Sequence, residues 1–205
     1  MPVKADSTHG VVIQIHVLRD TKPGRYKKEL LVSLGSEQSP VPFSFEVHPT
    51  TLPERQPLES VHWMWAQPEN LTSGELPEWW SERHWQLLEQ AGRQLRRFGD
   101  DTMYMPLING EDALIQVRLG KDGSYHFDHS RFDRWAELFF GLGFRQIAGK
   151  HNINLGPRVH VLDESTGKKR RLLKDPKNRE AWLAFIPTFY DSFHAHLKQK
   201  GWVDR

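Results

Sequence analysis

The sequence contains no cysteine among its 205 residues. Disulfide bonds, thiol nucleophiles and thiolate metal sites are therefore excluded, but this absence does not fix the cellular compartment. No apolar run approaches the roughly 20 residues that a membrane-spanning helix requires. Residues 1–10 lack the apolar core of a signal peptide. We therefore expect no membrane partner, and the localisation stays open.

A strong excess of either charge is also missing. The chain has 28 Lys and Arg against 26 Asp and Glu, a formal net charge of +2, so no general attraction to nucleic acid is expected. The basic run Lys168–Arg171 is typical of a solvated hairpin rather than of a nucleic-acid contact. Walker, Gly-x-Ser-x-Gly and dinucleotide-binding motifs are absent. The sequence thus predicts no cofactor and no nucleic-acid partner, and it leaves the oligomeric state open.

Aromatic residues, by contrast, are plentiful, with 8 Trp and 11 Phe. Aromatic faces fill cores and also stack on sugar rings, so this composition permits a carbohydrate binder without requiring one. Histidines are numerous too, but His194 and His196 are two residues apart and point to different faces of a helix. His126 and His129 lie in a strand-to-helix connection whose acidic residues also serve capping. We therefore assign no metal ligand.

Residues 1–50 predict part of a β-sandwich. Three segments are rich in β-branched residues or alternate between apolar and polar side chains: residues 11–18, 26–34 and 43–48. Their short connections are typical of antiparallel strands. Three prolines among the polar residues 49–60 then predict a stiff linker, placed at residues 51–60, which is the expected domain boundary.

Residues 61–205 predict alternating strands and helices. Strands are expected at residues 61–65, 102–108 and 144–148. Helices are expected at residues 81–98, from Ser130 as the N-cap to Gly141, and from residue 180 to Gly201. Two hairpins are inserted, within residues 111–127 and 159–173. This order predicts an α/β fold with about three βα units of an incomplete (β/α)8 TIM barrel, whose complete form takes about 250 residues.

The last helix has a clear apolar face. Side chains at three- and four-residue spacing define it: Trp182, Phe185, Ile186, Phe189, Phe193 and Leu197. Pro187 is expected either to kink the helix or to start its second half. Gly201 is expected to end it in the left-handed conformation, and Trp202-Val203 to begin a fourth parallel strand. We expect the chain to stop before that strand is complete.

Four short segments, taken in order, resemble glycoside hydrolase family 123, the β-N-acetylgalactosaminidase-type enzymes. They are KPGRY at residues 22–26, Leu52-Pro53, FDHSRFDRW at residues 127–135 and HLKQKGW at residues 196–202. The resemblance implies a β-sandwich ahead of a (β/α)8 catalytic barrel, a glycan substrate and, in many relatives, export.

The resemblance also implies a substrate-assisted mechanism. The 2-acetamido oxygen of the sugar attacks the anomeric carbon, an Asp orients that group, and an adjacent Glu acts first as acid and then as base. The family places this pair after the fourth strand, beyond Arg205. No residue of the chain is therefore expected to be catalytic, and we expect the chain alone to be inactive. The alternatives are a non-catalytic carbohydrate-binding or interaction module and a gene fragment without independent function.

Residues just beyond the carboxyl ends of barrel strands face the active site. The candidate substrate-binding residues are Trp65, Asn109, Lys150 and His151. Asn109 and His151 are expected to bond sugar hydroxyls, and Trp65 to stack on a ring. A packing or loop role is the alternative for each of them.

One adjacent acidic pair, Asp163-Glu164, imitates the expected catalytic pair. It lies in a turn of Ser, Thr, Gly and Lys residues, where solvated carboxylates are common. Catalytic carboxylates need a shielded site that shifts their pKa. We therefore interpret this pair as turn residues.

Overall fold

The computed structural model describes residues 8, 10, 12–53, 59–62, 66–105, 107–110, 112–149, 158–173 and 179–204. Contacts divide the chain into two compact units, Met1–Arg55 and Gln56–Arg205. The described residues form nine strands and four helices. None of these helices is long and apolar enough to cross a membrane.

The first unit contains one antiparallel hairpin. Its strands are β1 (Gly24–Leu34) and β2 (Glu37–Val47), paired along their whole length. Gly35 has a φ of 62°, which suits the two-residue turn between them. Tyr26 stacks on its cross-strand partner Phe45 with ring centroids 5.3 Å apart. The strands predicted at residues 26–34 and 43–48 are therefore confirmed.

The strand predicted at residues 11–18 is wrong for the part that the structure describes. Residues 12–18 form no strand, and apolar side chains such as Val12, 95% exposed, lie in solvent. β-Propensity describes how well a side chain fits a pleated surface, and it creates no strand where the backbone has no pairing partner. A sandwich needs two packed sheets, so the β-sandwich stays a prediction.

The second unit is built on a three-stranded parallel sheet. In spatial order its strands are β3 (Val61–His62), β4 (Thr102–Met105) and β7 (Gln146–Gly149). Helices α1 (Pro68–Leu71) and α2 (Glu82–Arg97) follow β3, α3 (Ser130–Gly141) follows β4, and α4 (Arg179–Lys200) follows β7. The predicted alternation is confirmed, with the short helix α1 added. The described strands close no barrel, so the TIM barrel stays a prediction.

Asp101 ties the three parallel strands together at their amino ends. Its carboxylate accepts the N–H of Ser60, ahead of β3, at 3.1 Å, and pairs with the guanidinium of Arg145, ahead of β7. Its carbonyl also accepts the N–H of Arg145 at 2.8 Å. Asp101 is only 5% exposed. Loss of either partner would leave this buried carboxylate incompletely paired, which is destabilising, so this edge of the sheet is firmly held.

The two inserted hairpins join into a second sheet, called here the accessory sheet. Its strands are β5 (Gln116–Leu119), β6 (Tyr125–Asp128), β8 (His160–Asp163) and β9 (Lys168–Arg171). Both hairpins are predicted correctly, but β5 also pairs with β8 in parallel, which gives the order β6-β5-β8-β9. Sequence patterns do not reveal this union, because parallel pairing between distant segments leaves no local signal.

The apolar face of α4 packs on two surfaces. Phe185 meets Tyr125 of β6 with ring centroids 5.0 Å apart, and Phe193 meets Phe132 of α3 at 5.1 Å. The predicted face is therefore confirmed. Pro187 lies inside a continuous helix.

The end of α4 differs from the prediction in one respect. Gly201 adopts the expected left-handed conformation, with a φ of 68°. The N–H groups of Gly201 and Trp202 donate to the carbonyls of Lys198 and Leu197 at 3.1 and 2.8 Å. Trp202 and Val203 belong to no strand, so the expected strand start is wrong. The backbone of Trp202 caps the helix instead of entering a ladder.

The segments at residues 127–135 and 196–202 meet between α3 and α4. His196 Nε2 lies 2.5 Å from Asp133 Oδ1, and Lys200 Nζ lies 2.9 Å from Asp133 Oδ2. His129 stacks on His196 with ring centroids 4.1 Å apart. His129 is the N-cap of α3 and Ser130 its first residue, so the predicted start is off by one position. These residues hold two helices together.

Gly92 allows α2 to lie close to α3. A Cβ atom at this position would lie 2.6 Å from Phe139 and 2.7 Å from Leu142. We expect Gly92→Ala to lower the free energy of unfolding by about 1–3 kcal/mol, because overpacking outweighs the gain of about 1 kcal/mol in helix propensity. Urea unfolding measures this change. Gly141→Ala is the matched control, since a Cβ at Gly141 meets nothing within 4 Å; equal stability of the two variants would contradict the close contact.

His129 makes the second unit sensitive to acid. Burial, and then the neighbouring His196, lower the pKa of His129 from 6.5 to about 4. As the pH falls from 6.5 to about 4, the unfolded chain binds a proton at His129 before the folded chain does. The free energy of unfolding therefore decreases over this pH range. We expect His129→Phe, which keeps the stacking and cannot titrate, to lessen the fall in melting temperature between these pH values. The exposed control His194→Gln should keep the original profile, and an unchanged profile in His129→Phe would refute this assignment.

Candidate functional site

The carboxyl ends of β3, β4 and β7 meet at one edge of the parallel sheet, which is where ligands bind in such sheets. Three candidate residues, Trp65, Lys150 and His151, lie outside the described residues. Asn109 is described and lies just after β4. The described part of this edge consists of residues 66–80, ahead of α2, and residues 107–110 and 112–115, after β4.

Asn109 carries an unsatisfied side chain. Its backbone forms an isolated bridge with Val159, and the N–H of Gly110 donates to the carbonyl of Arg158 at 2.9 Å. Both side-chain polar atoms of Asn109 are buried without a hydrogen-bond partner among the described residues. An unsatisfied buried group typically costs about 1–3 kcal/mol. Such a group is expected where a ligand supplies the missing partner.

The loop ahead of α2 and the first turn of α2 hold an aromatic cluster of Trp79, Trp80, His84 and Trp85, called here the Trp80 cluster. The rings of Trp79 and Trp85 lie 5.6 and 5.2 Å from the ring of Trp80. Trp80 has a φ of 62°, which a bulky residue rarely adopts. Strained conformations of this kind persist only where the surroundings hold them, and they are concentrated at binding and catalytic sites.

His84 holds the strained residue in place. It is fully buried; its Nδ1 accepts the N–H of Trp80 at 2.9 Å, and its Nε2 lies 2.7 Å from the carbonyl of Ala66. Because Nδ1 accepts, the ring is the neutral tautomer that donates through Nε2. Burial lowers the pKa of His84, which keeps the ring neutral. His84 therefore positions Trp80 and supplies no proton.

Trp80 also joins its loop to the segment after β4. Its indole N–H donates to the carbonyl of Asp112 at 3.1 Å. The guanidinium of Arg131 lies 5.6 Å from the Trp80 ring centroid and donates to the carbonyl of Ala113 at 3.4 Å. Burial lowers the pKa of Arg131, with Asp112 acting in the opposite direction. The edge thus combines half-buried indoles, a cation and the free amide of Asn109, which suits a ligand with polar groups around an apolar face.

Four of the carboxylates that the structure describes are stabilised as anions. Asp163 accepts from Ser165 Oγ at 2.5 Å and from Arg170 Nε at 2.9 Å, and these bonds lower its pKa to about 2. Its interpretation as a turn residue agrees with this environment. Other carboxyl groups also have lowered pKa values: Glu82, Asp122 and Asp128. A general acid needs the opposite shift, so none of these groups fits that role.

Sequence reasoning missed Trp79, Trp80 and Arg131. The only available signal was two adjacent tryptophans in a loop that contains proline, where rings cannot alternate into a core as they do in a helix. Neither the left-handed backbone of Trp80 nor its bond to Asp112 has a sequence signature, because both depend on tertiary contacts.

The chain matches the family model described as "Glycoside hydrolase 123, catalytic domain" over residues 65–205. No curated protein gives a significant match. Among solved structures, a family 123 glycoside hydrolase from Clostridium perfringens, studied for the details of glycolipid glycan hydrolysis, is similar in fold, with a TM-score of 0.66 and 22% sequence identity. The match covers 90% of this chain and 35% of that one, so the chain spans about a third of its length. Since the family model covers more than half of the chain, this protein belongs to glycoside hydrolase family 123.

Proposed function

We propose that this chain is the glycan-recognising segment of a glycosidase that acts on terminal N-acetylgalactosamine-type sugars. The observation that carries the proposal is that the carboxyl edge of the sheet holds both the strained Trp80, which is bonded to Asp112 in the segment after β4, and the unsatisfied amide of Asn109 in that same segment. An indole packs against the apolar face of a sugar ring, and an amide offers both a donor and an acceptor to its hydroxyl or acetamido groups. Trp65, Lys150 and His151 complete the proposed site from the neighbouring strand ends.

The proposed mechanism is substrate-assisted. The 2-acetamido oxygen attacks the anomeric carbon while a Glu protonates the leaving group, and the same Glu then deprotonates the water that opens the cyclic intermediate. A neighbouring Asp orients the acetamido group. We assign neither role to Glu82, Asp122, Asp128 or Asp163, because their lowered pKa values hold them as anions. The residues of this chain bind and orient the sugar.

A non-catalytic carbohydrate-binding role would use the same residues. Binding needs no general acid, and Asp163 and Asp128, whose pKa values are lowered, do not supply one. The similar protein from Clostridium perfringens is described for glycolipid glycan hydrolysis, and we propose glycolipid glycans as a substrate class for the complete enzyme. The glycosidase and the non-catalytic binding protein differ in that only the glycosidase hydrolyses the bound glycan.

We expect the purified chain to bind N-acetylgalactosamine saturably and to release no p-nitrophenol from p-nitrophenyl N-acetyl-β-galactosaminide. Sugar recognition requires the carboxyl edge of the parallel sheet. Hydrolysis also requires a general acid, and we assign none among the described residues of that edge. Calorimetric titration measures the binding and absorbance measures the release. Robust hydrolysis by the chain would contradict the proposal that it binds the sugar without supplying the general acid.

Variants of Trp80 test the same site. Trp80→Gly should weaken sugar binding about tenfold through loss of the ring. It should nevertheless be about 1 kcal/mol more stable than Trp80→Ala, because glycine adopts a positive φ without strain. Trp202→Phe, at the end of α4, is the aromatic control and should bind normally. Wild-type affinity in Trp80→Gly would exclude the ring from recognition.

Asn109→Leu separates a binding role from a packing role. Removing an unsatisfied amide while keeping the side-chain size should raise the free energy of unfolding by about 1 kcal/mol and abolish saturable sugar binding. Chemical unfolding and calorimetric titration measure the two effects. The surface variant Asn70→Ala serves as control. A destabilised Asn109→Leu that still binds the sugar would show that Asn109 is structural.

A further inference from the structure

A small hollow lies in the accessory sheet, beside the proposed sugar site. It has a volume of about 60 Å³ and opens between β5, β8 and β9. Its lining includes Gly110, Gln116, Arg118, His160, Leu162 and Lys169, together with small and aliphatic side chains of the same strands and of the segment before β5. Gly110 directly follows Asn109, so the hollow and the proposed sugar site share one stretch of chain.

The strand register places the basic residues of the hollow on one face. Arg118 of β5 pairs in register with Leu162 of β8, and Leu162 pairs with Lys169 of β9. Residues in register across neighbouring strands share a face of the sheet, so these three form one row. The residues on the alternate positions, Val117 and Val161, are buried. The row therefore belongs to the outer face of the sheet.

This face carries more positive than negative charge. Arg118 has Asp128 as its ion-pair partner at 3.9 Å, and both side chains are substantially exposed, at 48% and 34%. An exposed pair at this distance contributes little and leaves the guanidinium available to another anion. Arg171, which is exposed and pairs in register with His160, adds a further cation to the same face.

Protection of a sheet edge explains only part of this charge. Lysines on an edge strand such as β9 discourage pairing with another chain. Arg118, however, lies on β5, which has β6 on one side and β8 on the other and therefore needs no such protection. Its place beside Lys169 in the lining of one hollow calls for a different explanation.

The size of the hollow limits its occupant. A volume of about 60 Å³ holds roughly two water molecules. A sugar ring does not fit into this space, whereas a small oxyanion such as a sulfate or carboxylate group does. Arginine and lysine are the usual donors to such groups.

We propose that this hollow binds an acidic substituent, a sulfate or a carboxylate, on a glycan whose terminal sugar occupies the site at Asn109 and Trp80. The inference rests on the proposed function and narrows its substrate class to acidic glycans. Arg118 and Lys169 hold the anionic oxygens in the hollow, and the sugar ring remains at the edge of the parallel sheet.

The test compares three probes on the full chain at low salt: N-acetylgalactosamine, its 6-sulfate and the corresponding 6-carboxylate. We expect the two anionic probes to bind about fivefold more tightly than the neutral sugar, and this preference to fall with added salt. Arg118→Gln and Lys169→Gln should each remove most of the preference and leave the affinity for the neutral sugar unchanged. Lys121→Gln, in the turn between β5 and β6, is the charge-matched control and should keep it.

The outcomes separate this inference from the proposed function. Equal affinity for neutral and anionic probes, or a preference that survives Arg118→Gln, would overturn the acidic-glycan inference while the neutral sugar still binds. A preference for the sulfate alone, or for the carboxylate alone, would support it and identify the group. Failure of all three probes to bind would refute the proposed function and the inference together.

Discussion

The buried carboxylate of Asp101 is the interaction on which the second unit depends. It joins the amino ends of β3, β4 and β7 through Ser60 on one side and Arg145 on the other. Because the strands are parallel, fixing their amino ends also fixes where their carboxyl ends meet. The polar groups of one edge are thus paired with each other, and the opposite edge is left to the loops that carry the proposed sugar site.

The hairpins that follow β4 and β7 form the accessory sheet, which adjoins the proposed sugar site through Asn109 and Gly110. Each hairpin alone would be a marginal two-stranded structure, but the parallel pairing of β5 with β8 makes a four-stranded sheet with one face to bury. The first half of α4 covers this face through Phe185, and its second half covers α3 through Phe193. The length of α4, 22 residues, follows from covering both surfaces.

Local patterns predicted most elements of the fold and few features of the site. Helix α2 lies within one residue of its prediction at each end, because Ser81 at its N-cap is a local signal. The strands predicted at residues 12–18 and at Trp202 are wrong for a related reason, since their side chains suit a strand but their backbone groups pair with no neighbouring strand. Residues 12–18 have no strand partner, and the N–H of Trp202 donates to the carbonyl of Leu197. Asn109 was predicted because it follows a strand. Trp80 was not, since a left-handed tryptophan is stable only through His84 and Asp112, which no spacing rule connects to it.

The sequence segments at residues 127–135 and 196–202, which resemble the family, are not those that recognise the ligand in the proposed function. His196, Asp133 and Lys200 satisfy one another between two helices, so their sequence pattern records a packing requirement. The groups proposed for recognition have the reverse property: the amide of Asn109 has no partner among the described residues, and the backbone of Trp80 is strained. A folded chain retains such costs where something outside the fold compensates for them. The family match spans residues 65–205 and so includes both kinds of residue. Family membership therefore does not select the ligand-binding groups, and function must be argued from the strained and unsatisfied groups at the edge of the sheet.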